Sequence, residues 1–256
     1  MGLPDLYSHK WNHMKIFNKI KNSIFIIIMI IVVMIFIPVS LKAQLGIKAG
    51  ISASSFRYAG TVEPNQGYDI DLRPYLGYDA EWVQLADQKP LISPVVSIYT
   101  DINLGKGFIV RPELGFVQKG VNLSGNEYQK VIYKVKINYL ELPVNIAYNM
   151  ILKENFKGEI FIGGYISALI NANKKTALNV SDPKATNLKS VKSFDSGLTY
   201  GFGLKPKIMD HFFRFDLRVS HGLSDIFKVN NNEVRMYTTT QKTYNYSLLL
   251  SIGYEF

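Results

Sequence analysis

The final stretch of the chain, Tyr244-Asn245-Tyr246-Ser247-Leu248-Leu249-Leu250-Ser251-Ile252-Gly253-Tyr254-Glu255-Phe256, carries the pattern on which the fold turns. Tyr244, Tyr246, Leu248, Leu250, Ile252, Tyr254 and Phe256 alternate with Asn245, Ser247, Leu249, Ser251, Gly253 and Glu255. Successive side chains of a β-strand point to opposite faces, so this segment has one apolar face and one that is mostly small or polar. A single strand of this kind does not separate a water-soluble sheet from a membrane one, because both alternate.

Seven further segments repeat the alternation, at residues 45–52, 96–104, 110–117, 139–148, 159–168, 197–205 and 213–220. In the last of these Phe213, Phe215, Leu217 and Val219 alternate with Arg214, Asp216, Arg218 and Ser220. Three features turn the reading toward lipid. The polar faces are rich in Gly, which suits a crowded, curved interior. Tyr148, Tyr244 and Tyr254 lie near the ends of apolar faces, where interfacial girdles sit. The connections also alternate in length. Gly105-Lys106-Gly107, 151–156 and 207–211 are short, whereas 57–92, 120–131, 171–193 and 222–243 are long.

Eight antiparallel strands starting from the periplasm place every short turn on one side and every long loop on the other, the asymmetry of outer-membrane barrels. An even count also closes the sheet, so no strand edge is left unpaired in lipid. The expected fold is all-β: an eight-stranded antiparallel transmembrane β-barrel with short periplasmic turns and long extracellular loops. Residues 71–82, Asp71 to Trp82, would break the even count as a ninth strand. They are assigned to the first long loop, as a hairpin or plug.

The start of the chain has a different character. Lys15, Lys19 and Lys21 precede an apolar run at 24–39, which is broken only by Pro38 and followed by Ser40-Leu41-Lys42-Ala43-Gln44. A basic region, an apolar region and a small residue make a secretory signal peptide cleaved after Ala43, with Lys42 an imperfect fit. The competing reading is an uncleaved anchor, but a run of about 16 residues is short of the roughly 20 that a spanning helix needs. Met14 reads as a more natural start than Met1, which puts 1–13 upstream of the true start. The domain organisation is thus a signal peptide at 1–43 and a barrel at 44–256.

Removing that segment changes the electrostatics. The whole chain has 29 Lys and Arg against 20 Asp and Glu, a net charge of +9. Residues 1–43 hold five Lys and one Asp, which leaves 24 basic and 19 acidic residues and a net charge of +5. The remainder has no run of five basic residues, so nucleic acid is excluded as a partner. The lack of Cys rules out a disulfide framework, thiolate metal sites and a Cys nucleophile.

Four stretches then carry a family resemblance: Gly46-Ile47-Lys48-Ala49-Gly50, Arg111-Pro112-Glu113-Leu114-Gly115-Phe116-Val117-Gln118-Lys119-Gly120, Tyr139-Leu140-Glu141-Leu142-Pro143 and Arg218-Val219-Ser220-His221-Gly222-Leu223-Ser224-Asp225-Ile226. In this order, over nearly all of 44–256, they resemble the PorT-type outer-membrane barrels. The resemblance implies an eight-stranded barrel in the outer membrane of Bacteroidetes-type bacteria. The first loop is long for that family. The chain also does not resemble the member tied to gliding and type IX secretion, so that role is not carried over. By the same resemblance Ile252, Tyr254 and Phe256 form the signal read by the barrel-assembly machinery.

The inward faces hold Lys48, Asp101, Arg111, Glu113, Glu141, Glu159, Lys205, Arg214, Asp216, Arg218 and Glu255. Six acids and five bases nearly cancel, as a closed interior needs and a selective pore does not. The interior of eight strands is just wide enough for side chains, and buried charges are tolerated only when paired. The expectation is a salt-bridge network centred on Arg111, Glu113, Glu141, Arg214, Asp216 and Arg218. Acid/base chemistry or an ion pathway is the competing reading.

Catalysis finds no support in the pattern. Ser220 and His221 are neighbours on a strand and point to opposite faces, so they make no Ser–His pair. Gly201-Phe202-Gly203 lies in a strand and lacks the third Gly of a phosphate loop. Only His211 and His221 remain after residue 43, too few for a metal centre without added carboxylates. No catalytic, cofactor or metal residue is assigned.

The expected partners are outer-membrane lipid, lipopolysaccharide, the assembly machinery and a protein met by the extracellular loops. In loop 171–194, Lys174, Lys175, Lys184, Lys189 and Lys192 are placed to pair with lipopolysaccharide phosphates, or are simply solvated. Two functions stand open: a structural or interaction barrel, and a small-solute channel or transport-associated barrel. The targeting reading has a direct check. Mass spectrometry of protein isolated from membranes is expected to find Gln44 at the N-terminus, whereas a chain that keeps residues 24–39 would be an anchored protein.

Overall fold

In a computed structural model of the chain, residues 43–59, 87–124, 131–178, 184–188, 190–209, 211–227 and 242–256 are described. Residues 1–42 of the signal-peptide segment and residues 71–82 fall outside them. Nine strands are present among the described residues: β1 (Ala43–Ala59), β2 (Asp87–Gly105), β3 (Phe108–Ser124), β4 (Val131–Lys153), β5 (Phe156–Leu178), β6 (Lys184–Asn187), β7 (Phe194–Ile208), β8 (His211–Gly222) and β9 (Lys242–Glu255). Eight of them form the wall. Going round it, β4, β3, β2, β1, β9, β8, β7 and β5 are each hydrogen-bonded to the next, and the pairing of β4 with β5 closes the ring.

One seam, between the first and last strands, shuts the ring, and the longest hairpin lies opposite it. The first and last strands run antiparallel with an unbroken register from Gly46 opposite Glu255 to Ala59 opposite Lys242. Strand β4 lies against β5 from Val131 opposite Leu178 to Lys153 opposite Phe156, with a bulge at Ile170 where Asn138 faces Asn171 and Tyr139 faces Leu169. A bulge shifts the side-chain alternation by one residue. Below it Ile160, Ile162 and Ile166 face outward, and above it Asn171, Asn173 and Lys175 do.

The strands run further than the sequence alternation reached. The 171–194 segment, read as loop, continues β5 to Leu178 and then contributes β6, which pairs Lys184 to Asn187 against β5. Both β4 and β5 are 23 residues long, whereas a transmembrane strand needs about 9–11. At the long-loop end β2 and β3 rise with them, Asp87 lying opposite Ser124, Ser124 opposite Ile132 and Ile132 opposite Ala177. That extension was hidden because its outward face is Asn and Lys, which in sequence looks like loop composition.

The short-turn end is tight. Between β2 and β3 the chain reverses through Gly105, Lys106 and Gly107, all three with positive φ. Two glycines in that run meet the left-handed requirement without a Cβ clash. One interior glycine has a different reason: a Cβ on Gly46 would collide with the Tyr99 ring, which lies across the barrel floor.

The outside of the wall is apolar and open. Ile162 is 61% exposed, Leu250 53% and Phe215 40%, within a belt that includes Ile51, Ile98, Ile146 and Phe202. Aromatic rings mark its lower rim, with Phe108 against Tyr148 and Tyr254 against Phe213 and Phe256. Charged residues on the same strands turn inward. This is the inside-out arrangement of a barrel in lipid. The cost of a charge on the belt should then depend on depth. Leu250→Arg, midway along β9, is expected to lose about 2–4 kcal/mol of folding stability in bilayers, and Ile47→Arg, near the lower rim, about 0–1 kcal/mol. Equal effects in urea titrations of the two variants would contradict a membrane belt.

Candidate functional site

All eleven charged residues assigned to the inner faces are buried there. They do not form one centre. Going up from the short-turn end they fall into three layers, each joining strands across the barrel interior.

The lowest layer sets three cations against three carboxylates. The Arg111 guanidinium, from β3, bridges two acids: Nε donates to Asp101 Oδ1 at 2.5 Å, Nη1 to Glu159 Oε1 at 2.5 Å and Nη2 to Glu159 Oε2 at 2.6 Å. Arg214, from β8, donates through Nη2 to Asp101 Oδ2 at 2.5 Å and to Glu255 Oε1 at 2.6 Å. Lys205 completes the layer, 2.9 Å from Asp101 and 2.8 Å from Glu255. The Tyr99 ring lies against two of these cations, its centroid 4.9 Å from the Arg214 guanidinium and 5.8 Å from that of Arg111, and 5.0 Å from Lys48 Nζ of the layer above. Arg111 is 1% exposed and Arg214 0%.

The second layer pairs two cations with two carboxylates. Lys48 Nζ lies 2.5 Å from Glu113 and 3.2 Å from Asp216, and Arg218 donates to both oxygens of Glu113 at 3.2 Å. Above it Lys119 lies 2.6 Å from Glu141 and 3.5 Å from Asp195, with its Nζ 4.0 Å from the Tyr165 ring centroid. Asp195 also accepts from Tyr165, Asn245 and Ser224.

Of the six residues expected at the centre, Arg111 and Arg214 thus share the first layer, Glu113, Asp216 and Arg218 the second, and Glu141 sits in the third. Lys119 and Asp195 were missed. Both continue an inward alternation already visible, Lys119 that of Arg111 and Glu113, and Asp195 that of Gly197 and Thr199. The sequence reading ended those segments at 117 and 197, before the strands end.

Toward the long-loop end the filling becomes apolar. Phe56, Val117, Val121, Val135, Ile137 and Tyr139 of the wall pack with Leu188, Val191, Ile226 and Phe227 of the connecting segments. Val191 and Phe227 form a β-bridge, and Lys192 pairs with Asp225 at 2.9 Å. These two segments therefore fold into the mouth and are fastened to each other. Between the apolar filling and the charge layers, the hydroxyls of Ser52, Ser220 and Ser247 are buried without a protein partner.

The remaining candidates sit apart. Ser220 points inward while His221, next to it, contacts Arg57 and stacks on Tyr246. Among the described residues no three His, Asp or Glu side chains are grouped to hold a metal ion. Ile252 and Tyr254 lie on the outer face of β9. Phe256 is 72% exposed, its ring 5.2 Å from Tyr254 and its N–H donating to Leu45 at the seam.

Removing one member of a buried ion pair leaves its partners uncompensated, typically at about 3–5 kcal/mol. Arg111→Met strands Asp101 and Glu159 together and is expected to fall in that range. Lys153→Met, exposed beside a short turn, should stay within about 0.5 kcal/mol. Unfolding by urea in lipid vesicles reads both, and a silent Arg111→Met would mean the layer is hydrated rather than closed.

The profile of the outer membrane protein beta-barrel domain matches residues 38–228. Among solved structures, the chain is similar to the attachment invasion locus protein Ail of Yersinia pestis (12% identity, 84% of this chain and 99% of that chain, TM-score 0.37). It is also similar to neisserial surface protein A (10% identity, 84% and 99%, TM-score 0.38) and to OprG of Pseudomonas aeruginosa (13% identity, 84% and 96%, TM-score 0.44). No curated protein sequence matches the chain. With its profile matched over well more than half its length, the chain belongs to the family of outer membrane protein beta-barrel domains, and its place is the outer membrane.

Proposed function

We propose that the chain is a closed barrel that acts as a structural or interaction protein through its extracellular end. The observation that carries this reading is the filling of the interior. The two lower layers match their cations and carboxylates one for one, and the mouth is packed with apolar side chains. A selective pore has a continuous wet path and an excess of one sign along it. A barrel of this width filled in this way has neither. The fastened segments above it, at 190–193 and 223–227, present a formed surface to a partner at the cell exterior.

Three features of the ends accompany this proposal. The PorT-type affiliation rests on the four ordered motifs. Export through a signal peptide at 1–43, with the barrel at 44–256, rests on the basic, apolar and small-residue order. Recognition by the barrel-assembly machinery rests on the outward Ile252 and Tyr254 and the exposed Phe256, and insertion is expected to fail without that last residue. No enzymatic role is proposed.

The alternative, a small-solute channel, draws on the unpartnered hydroxyls of Ser52, Ser220 and Ser247, which form a polar stretch within the barrel. Conductance separates the two readings. Purified protein added to planar bilayers is expected to give no stepwise current, whereas Arg111→Ala combined with Arg214→Ala should open leaks by removing two side chains from the floor. Discrete, ion-selective steps from the unaltered protein would overturn the closed-barrel reading.

A further inference from the structure

The outward face of β3, β4 and β5 changes character at one level. The last continuous apolar row is Val96, Phe116, Leu140 and Ala168, which lie opposite one another across four strands; above it, among the described residues, only Ile92 of β2 and Ile170 at the β5 bulge remain as exposed large apolar side chains of these strands. One row higher stand three amides in a hydrogen-bonded line, Gln118 Nε2 donating to Asn138 at 2.7 Å and Asn138 Nδ2 to Asn171 at 2.6 Å. The next row holds Lys136, between Gly120 and Asn173, and the row above it reads Lys89, Asn122, Lys134 and Lys175.

Lys134 and Lys175 are directly opposite each other, an arrangement that destabilises a sheet on its own. Among the described residues no carboxylate lies within salt-bridge range of Lys134, Lys136 or Lys175. Interior charges of this barrel are matched almost one for one, whereas this outer-face trio has no carboxylate partner among the described residues and is open to an anion from outside.

The position says which anion. At about 3.3 Å per residue and a tilt of roughly 35–45°, Lys136 stands about 10 Å above Leu140 along the membrane normal. That is the outer edge of the headgroup layer, and a lysine reaches back toward it along its own stem. The amide row below supplies donors and acceptors suited to sugar hydroxyls. We infer that Lys134, Lys136 and Lys175, with the Gln118–Asn138–Asn171 amides, form a binding site for a phosphorylated glycolipid of the outer leaflet. The site lies on the lipid side of the wall and does not depend on whether the barrel conducts.

Native mass spectrometry of the detergent-solubilised protein tests this, with the bis-phosphorylated glycolipid anchor of lipopolysaccharide as the probe. The triple variant Lys134→Gln, Lys136→Gln, Lys175→Gln is expected to bind roughly 100-fold more weakly, about fivefold per lysine. Lys106→Gln with Lys153→Gln, at the opposite end, should bind as the unaltered protein does. The dephosphorylated glycolipid should bind as weakly as the triple variant binds the intact one. In phosphatidylcholine bilayers without the probe, the triple variant should melt no lower than the unaltered protein, because it relieves repulsion. Four results would overturn the assignment: unchanged binding by the triple variant, equal binding of the dephosphorylated lipid, equal binding of phosphatidylglycerol, or competition by inorganic phosphate at equal concentration. A lower melting point without probe would also do so, since the lysines would then serve the fold.

Discussion

The structure depends on one constraint: in hydrocarbon every backbone N–H and C=O must find its partner within the protein. An open sheet fails this at its two edges, each unsatisfied group costing several kcal/mol. Here the pairing of β1 with β9 removes both edges at once. The even number of wall strands, the antiparallel order and the alternation of short and long connections all follow from that closure.

Closure with eight strands then sets the interior. The space is side-chain wide, so whatever points inward is taken out of water. Small residues such as Gly46 make room for Tyr99, and charges persist because they are arranged in layers that nearly neutralise themselves. In the lowest layer each guanidinium reaches at least two carboxylates, so the desolvation of each ion is offset by several short contacts rather than one. The long-loop half needs no such matching, because it is filled by valine, isoleucine and aromatic side chains. The outer face obeys the opposite rule until the amide row at Gln118, Asn138 and Asn171, where the surroundings change and unmatched lysines begin.

Much of this was legible because a strand's period is two and lipid enforces it on every wall strand. The inward position of residues such as Arg111 and Asp216 follows from their place in the alternation alone. Their grouping does not. Which acid faces which base depends on strand stagger, and so six residues expected in one centre are divided among three layers. The bulge at Ile170 switched the alternation of β5, and the asparagine and lysine above it resembled a loop. Lys119 escaped for a related reason, since its outward neighbours Gln118 and Gly120 are not apolar, and Asp195 because Ser196 interrupts the apolar face between Phe194 and Leu198. The residues that fill the mouth from the connecting segments, Leu188, Val191, Ile226 and Phe227, carry no period at all.

The central claim is that one face of each wall strand meets lipid and the other meets neither lipid nor bulk water. The chain has no Cys, so single cysteines can be placed along β9 from Asn245 to Gly253 and spin-labelled in bilayers. The account predicts that labels at 248, 250 and 252 relax with oxygen dissolved in the lipid. Labels at 247, 249 and 251 should respond neither to oxygen nor to a water-soluble nickel complex. Nickel access on the inward positions, or a period other than two, would contradict it.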